Sequence, residues 1–166
     1  MIHIDNSKKD LIFILIKILV FSLICILVFT CVLSFTRVNN NNMYPAIKDG
    51  DLVVGYRLDK NYDRDDVVLY VRDGEKSVGR IIGLPGDVIN ISDSGNLIVN
   101  GTNAGLNDLY PTYPGDEIEY PYRVPEDSVF VLGDNRANSI DSRSFGAVKL
   151  NLIKAKAITI LRRRDL

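Results

Sequence analysis

Asn90-Ile-Ser-Asp-Ser-Gly-Asn-Leu-Ile-Val99 reads as a β-hairpin. Short apolar runs flank Asp93-Ser-Gly-Asn96, and Gly, Asn and Asp accept the backbone angles of a tight reversal. Outward from it the same pattern recurs. Asp51-Leu-Val-Val-Gly55, Asp66-Val-Val-Leu-Tyr-Val71 and Ser128-Val-Phe-Val-Leu132 are short, β-branched runs bounded by Gly, Asp or Pro. Pro111, Pro114, Pro121 and Pro125 keep residues 106–126 out of long helices, because proline lacks an N–H and its ring clashes with the preceding turn. There is no internal repeat and no helical periodicity outside the N-terminal segment. The expected fold is mainly β: a compact antiparallel domain over residues 36–166 behind one N-terminal helix.

That helix is expected in Leu11–Phe35, 25 residues interrupted only by Lys17. Such a helix rises roughly 37 Å, against a hydrocarbon core of ~30 Å. Lys17 lies near the start and can snorkel toward headgroups. A cleavable signal peptide has a shorter apolar core, roughly 7–15 residues, and Val32 with Ser34 makes a poor cleavage site. The segment therefore reads as an uncleaved, single-pass anchor with the lipid bilayer as a partner. Residues 1–10 are expected on the cytoplasmic side of a plasma membrane, 11–35 within it and 36–166 outside. Lys8, Lys9 and Lys17 favour this orientation, although Asp5 and Asp10 flank them and Arg37 stands on the far side.

Charge excludes one class of function. The net charge of −1 provides no basic excess for a phosphate backbone, so no nucleic acid is expected. Arg162, Arg163 and Arg164 read as a solvated tail, with anionic headgroup contact the alternative. Cys25 and Cys31 both lie in the apolar segment, which leaves no disulfide framework or thiolate zinc site in the domain. No metal or cofactor is expected. His3, the only histidine, precedes the anchor, so a histidine-based triad in the domain is excluded.

Three segments carry a resemblance. Asn42-Met-Tyr-Pro-Ala-Ile-Lys-Asp-Gly-Asp51 resembles the Ser-Met-x-Pro-Thr-Leu box of type I signal peptidases. Arg80-Ile-Ile-Gly-Leu-Pro-Gly-Asp87 resembles their Lys-Arg-x-x-Gly-x-Pro-Gly-Asp box. Gly133-Asp-Asn-Arg-Ala-Asn-Ser-Ile-Asp-Ser-Arg-Ser-Phe-Gly146 resembles the long third box, and Arg64-Asp-Asp-Val-Val68 a weaker one. The resemblance implies an antiparallel β domain on the outer membrane face. It also implies serine endopeptidase activity that removes signal peptides, with the extended substrate bound by strand addition.

Two positions depart from that pattern. The nucleophile position is Asn42 and the general-base position is Gly79. A serine hydroxyl attacks only when a neighbouring base takes its proton, and the lysine must be neutral to do so. Asn42 has no hydroxyl and Gly79 no side chain. Lys76 is an odd number of residues from Gly79, so on a strand it faces the other way; Ser77 faces correctly but is no base. Residues 39–42 are all Asn, so no hydroxyl is one slip away. By the resemblance, Ser139 matches a serine that hydrogen-bonds the lysine.

The remaining residues are expected to be architectural. Gly83, Pro85 and Gly86 should hold a turn, and Asp87 belongs to the same structural motif. Asp134, Arg136, Asp141 and Arg143 should form ion pairs that hold the third box. Met43, Tyr44, Pro45 and Ser139 are expected to shape the peptide-binding cleft. The function expected is that of a non-catalytic, membrane-anchored scaffold or chaperone for exported or surface proteins. It resembles signal-peptidase-like proteins of Gram-positive pilus assembly, which makes pilins candidate clients. The alternatives are an active peptidase with an unrecognised dyad and a regulatory partner of one.

Overall fold

The computed structural model describes residues 6–104 and 110–162. His3, Asp5, Arg163 and Arg164 lie outside the described residues. Helix α1 (Asn6–Leu27) continues through a π-helical turn at Val28–Val32, and β1 (Leu33–Arg37) follows directly. The described side chains of α1 are apolar on all sides apart from Lys8, Lys9, Asp10, Lys17 and Ser22, and nearly all are exposed to the surroundings. A helix of this kind has no face to pack on a soluble core and fits hydrocarbon on all sides. Lys8–Val32 is long and apolar enough to cross a membrane. The Lys17 ammonium lies 4.3 Å from the centre of the Phe13 ring. The helical span stops at Val32, not at Phe35, because Leu33–Arg37 pair with a second strand.

That strand is β2 (Leu52–Tyr56); β3 (Val67–Arg72), β4 (Glu75–Gly83) and β5 (Val88–Ile91) follow. Next come β6 (Leu97–Val99), β7 (Thr102–Asn103), β8 (Tyr122–Arg123) and β9 (Ser128–Leu132). The short helix α2 (Ser142–Phe145), β10 (Val148–Lys149) and β11 (Ile153–Leu161) complete the order. A seven-stranded sheet runs β1-β2-β11-β3-β4-β9-β10 and a four-stranded sheet runs β7-β6-β5-β8. Every strand pair is antiparallel. The mainly antiparallel β fold expected from the sequence is present. The 90–99 hairpin is β5–β6, with Ile91 opposite Leu97.

Two-residue periodicity gives the large sheet two packed faces. Leu69 and Val78 join Met43, Ile47, Val53 and Ala155 on one face. Val68, Tyr70 and Ile81 join Val129, Val131 and Ile153 on the other. A third cluster, which includes Ile89, Leu97, Val124 and Phe130, lies where the small sheet meets the large one. Gly83 belongs to this junction and not to the turn expected of it. It ends β4, and a Cβ there would lie 2.7 Å from Ile89 Cδ1 and 3.2 Å from Phe130 Cβ. Pro85 and Gly86 do occupy the turn: the Asp87 amide donates to Leu84 O at 3.0 Å, and Gly86 has φ +84°.

Asp87 ties that turn to the rest of the domain. It accepts from Arg64 Nη2 at 2.7 Å, from the Leu84 amide at 2.7 Å and from Asn100 Nδ2 at 2.8 Å. Burial by itself pushes this carboxyl up, but these hydrogen bonds and the Arg64 charge outweigh it and hold the pKa below the ordinary value of 3.8.

Candidate functional site

A groove of about 550 Å³ lies between Phe35–Asn40 and Glu75–Val78. Both walls are strand edges. On β1 the even-numbered residues bond to β2: Arg57 N donates to Val32 O at 2.9 Å, and Val38 N donates to Asp51 O at 2.9 Å. The backbone groups of Phe35, Arg37 and Asn39 therefore point off the free edge. On β4 the odd-numbered residues bond to β3, since Ile81 N donates to Asp66 O at 2.9 Å and Ile81 O accepts from Asp65 N at 2.8 Å. Lys76 and Val78 point the other way. Strand β9 pairs with β4 only from Arg80 to Gly83, so it leaves these two uncovered. Two rows of open donors and acceptors thus line one groove, which is a template for an added extended chain.

The groove ends beside Asn42 and Gly79, just beyond Asn40 and Val78. The loop that carries Asn42 is pinned from both sides. Met43 is fully buried in the core, and the Asn42 carbonyl accepts from Asn135 N at 3.0 Å. The carbonyl sits so close to Gly133 that a Cβ there would lie 2.5 Å from it and 2.5 Å from Ser139 Cβ. No β-carbon is tolerated at that contact. Gly79, opposite Val68 on β3, abuts the same segment: its absent Cβ would lie 3.5 Å from Leu132 O. The fold therefore gathers Asn42, Gly79 and Ser139 around Leu132–Gly133.

The place beside Gly79 is tight. A Cβ there would meet Tyr70 Cε1 at 3.3 Å and Val131 Cβ at 3.4 Å. Tyr70 is only 3% exposed, and burial followed by the nearby Asp141 carboxylate pushes its phenol up to about 12. It stays protonated and neutral at any physiological pH.

Ser139 is committed elsewhere. Its hydroxyl donates to Asp141 Oδ2 at 2.5 Å and accepts from Arg143 Nη2 at 3.0 Å. Arg143 grips Asp141 through Nε and Nη2, each at 2.9 Å, and Asp141 also accepts from the Gly133 amide at 3.0 Å. Asp134 forms its pair outside the box, with two bonds of 2.8 Å from Arg80. Arg136 donates to Gly133 O at 3.0 Å and to the Thr112 hydroxyl. The third box is thus held by charge-assisted hydrogen bonds, with one of its carboxylates reaching back to β4.

The structure places the cleft residues expected from sequence beside the groove instead of along it. Met43 is core, Tyr44 is exposed with Lys48 Nζ 5.9 Å from its ring, and Pro45 follows in the same loop. Sequence reasoning missed Phe35–Asn40 and Glu75–Val78. A usable signal existed in β4, whose first half has no apolar residue except Val78 and so reads as an uncovered edge. Lys76 lies across from Val71, on the face opposite Gly79 as its odd offset requires. Among the described residues no group of histidine, cysteine and carboxylate side chains could hold a metal ion.

Comparison with known proteins gives the family. Residues 11–161 match the family described as signal peptidase, peptidase S26. A signal peptidase I from Bacillus caldolyticus is 35% identical over 72% of this chain and 74% of its own length. A probable signal peptidase I-2 from Synechocystis is 33% identical over 77% of this chain and 62% of its own length. The crystal structure of a signal peptidase I from Enterococcus faecalis V583 is 28% identical, covering 60% of this chain and 97% of that one at a TM-score of 0.49. With nearly the whole chain matched, the protein belongs to the signal peptidase family, peptidase S26.

Proposed function

We propose that this chain is a non-catalytic signal peptidase homologue. In this reading it holds an extended segment of an exported or surface protein in the groove and acts as a membrane-anchored scaffold or chaperone, with pilins as the first candidate clients. The observation that carries the reading is the packing beside Gly79. The base is missing, and a buried, neutral tyrosine occupies the space next to its position. Asn42 supplies no nucleophile. Lys76 faces away and Ser139 is bound to Asp141 and Arg143, so neither neighbour replaces the pair. The open edges of β1 and β4 are independent of that chemistry. Main-chain hydrogen bonds give strand addition its affinity, and they need neither serine nor lysine.

The test uses the direction of the β1 backbone. Arg37→Pro removes an N–H that points into the groove and leaves the bonds of Thr36 and Val38 to β2 intact. Full-length protein in detergent is titrated with a labelled ten-residue peptide from the region before a signal-peptide cleavage site. Arg37→Pro is expected to weaken binding at least several-fold more than Arg37→Ala. Equal affinities for the two variants, both folded, would remove strand addition as the mode of binding.

A further inference from the structure

Beside the groove lies a smaller cavity of about 180 Å³, lined by Ser34, Thr36, Arg57, Leu69, Tyr70, Val71, Lys76 and Lys154. Thr36 and Lys76 line both spaces, so the cavity opens as a side pocket of the groove. Its position follows from the strands. Ser34 and Thr36 face inward from β1, Leu69 and Val71 from β3, and Lys76 lies across from Val71 on β4. Arg57 follows the end of β2, and Lys154 sits at the bulge in β11 between Ile153 and Ala155.

The charge there is one-sided. Arg57, Lys76 and Lys154 line the pocket, and none of its lining residues is acidic. Glu75 lines the groove but not the pocket. Among the described residues none of the three cations is in an ion pair. Arg57 donates from Nε to Leu33 O at 2.8 Å and Lys154 from Nζ to Asn151 O at 3.3 Å. A second observation is independent of charge. Thr36 is 6% exposed, yet its hydroxyl is buried with no hydrogen-bond partner. A buried, unsatisfied hydroxyl is costly, and this one belongs to a residue that lines the pocket.

We infer that this pocket receives an acidic side chain of the polypeptide bound in the groove. The client is then an extended segment with an aspartate or glutamate at one fixed register. The carboxylate would accept from the Thr36 hydroxyl and draw on the field of Arg57, Lys76 and Lys154, where few water molecules screen it. A phospholipid headgroup has similar chemistry, and the pocket lies near the end of α1. The shared Thr36 and Lys76 wall favours the polypeptide, because a side chain from a strand laid in the groove enters through that wall. This inference rests on the groove being a peptide site.

The test is a peptide scan. Labelled ten-residue Ala/Ser peptides with one Glu moved along the length, and the matching Gln series, are titrated against the full-length protein in nanodiscs of phosphatidylcholine. One register is expected to bind about tenfold more tightly with Glu than with Gln, with the preference shrinking as salt rises. Lys76→Gln, an exposed change that leaves the core alone, should cut that preference several-fold, and Thr36→Val should cut it too. Equal Glu and Gln binding at every register would overturn the acidic-residue inference while leaving the groove as a peptide site. No binding by any peptide would overturn both. Nanodiscs containing phosphatidylglycerol give the other arm. If the anionic lipid abolishes the Glu preference, and Lys76→Gln weakens lipid binding instead, the pocket is a headgroup site and the inference falls.

Discussion

Tyr70 Cε1 stands 3.3 Å from the point a Cβ on Gly79 would occupy, so any side chain at that position would press on a neighbouring ring. On the non-catalytic reading proposed above, the packing of β3 against β4 adds to the absence of a side chain at Gly79. A lysine there would press on that ring, which packs in one buried cluster with Val68, Ile81 and Val131.

Gly79→Lys is accordingly expected to destabilise the domain by about 1–3 kcal/mol, the usual cost of overpacking a filled core. Tyr70→Ala alone also destabilises by leaving a cavity. The double substitution should cost less than the sum, because the alanine vacates the space that the lysine needs. Chemical denaturation of the four proteins in a double-mutant cycle measures this, and strictly additive costs would show that the ring does not obstruct the position.

Asp141→Ala should be among the most damaging single changes in the domain, at about 3–5 kcal/mol. It leaves Arg143, which is 7% exposed, without its carboxylate and strips the acceptor from the Gly133 amide. Asp73→Ala makes the contrast. It breaks the Arg72 pair, where Asp73 is 82% exposed, and should change stability by no more than about 0.5 kcal/mol. Thermal melts of the two variants decide whether burial sets the ranking.

Asp87 predicts an acid limit. Its carboxyl is held below its ordinary value in the folded state, so the unfolded chain binds the proton more readily. The stability it contributes is fully present above the ordinary aspartate range, near pH 4, and is lost as pH falls through the lower folded value. Asp87→Asn should be less stable than the parent at pH 7, and the gap should narrow below pH 4. A gap that is constant from pH 7 to pH 3 would remove Asp87 from the acid response.

The anchor predicts topology. If residues 36–166 lie outside, protease added to intact protoplasts should remove the domain and leave a membrane-embedded fragment. Full protection that is lost only on lysis would reverse the orientation.

Much of this fold is legible in the chain because β-branched runs such as Val67-Val-Leu-Tyr-Val71 and the Asp93-Ser-Gly-Asn96 turn signal locally. Strands β1 and β11 are among those the sequence hides, with the two-residue strands β7, β8 and β10. Leu33-Ser-Phe-Thr-Arg37 follows the apolar helix without a break in hydropathy, so the end of the helix is set by pairing with β2 and not by a local stop. The first half of β11, Ile153-Lys-Ala-Lys-Ala157, has Ile153 as its one β-branched residue, and Ala155 is fully buried where β11 lies between β2 and β3. The absence of a hydroxyl at Asn42 and of any side chain at Gly79 is visible in sequence, since it depends on residue type alone. The groove is not visible. Its walls come from strands remote in sequence, and which backbone groups stay unpaired depends on where β9 stops pairing with β4. Tyr70 is likewise hidden, because a diagonal cross-strand contact has no local signature.

The most direct measurement combines binding and chemistry in one sample. A secretory precursor with an intact signal peptide is incubated with the full-length protein in nanodiscs, and its mass and bound fraction are followed together. An active Bacillus signal peptidase I serves as the positive control. The account predicts saturable binding of a precursor whose mass does not change, weakened by Arg37→Pro. A product cut at the signal-peptidase position, formed in proportion to this protein and abolished by a substitution within it, would contradict the central claim.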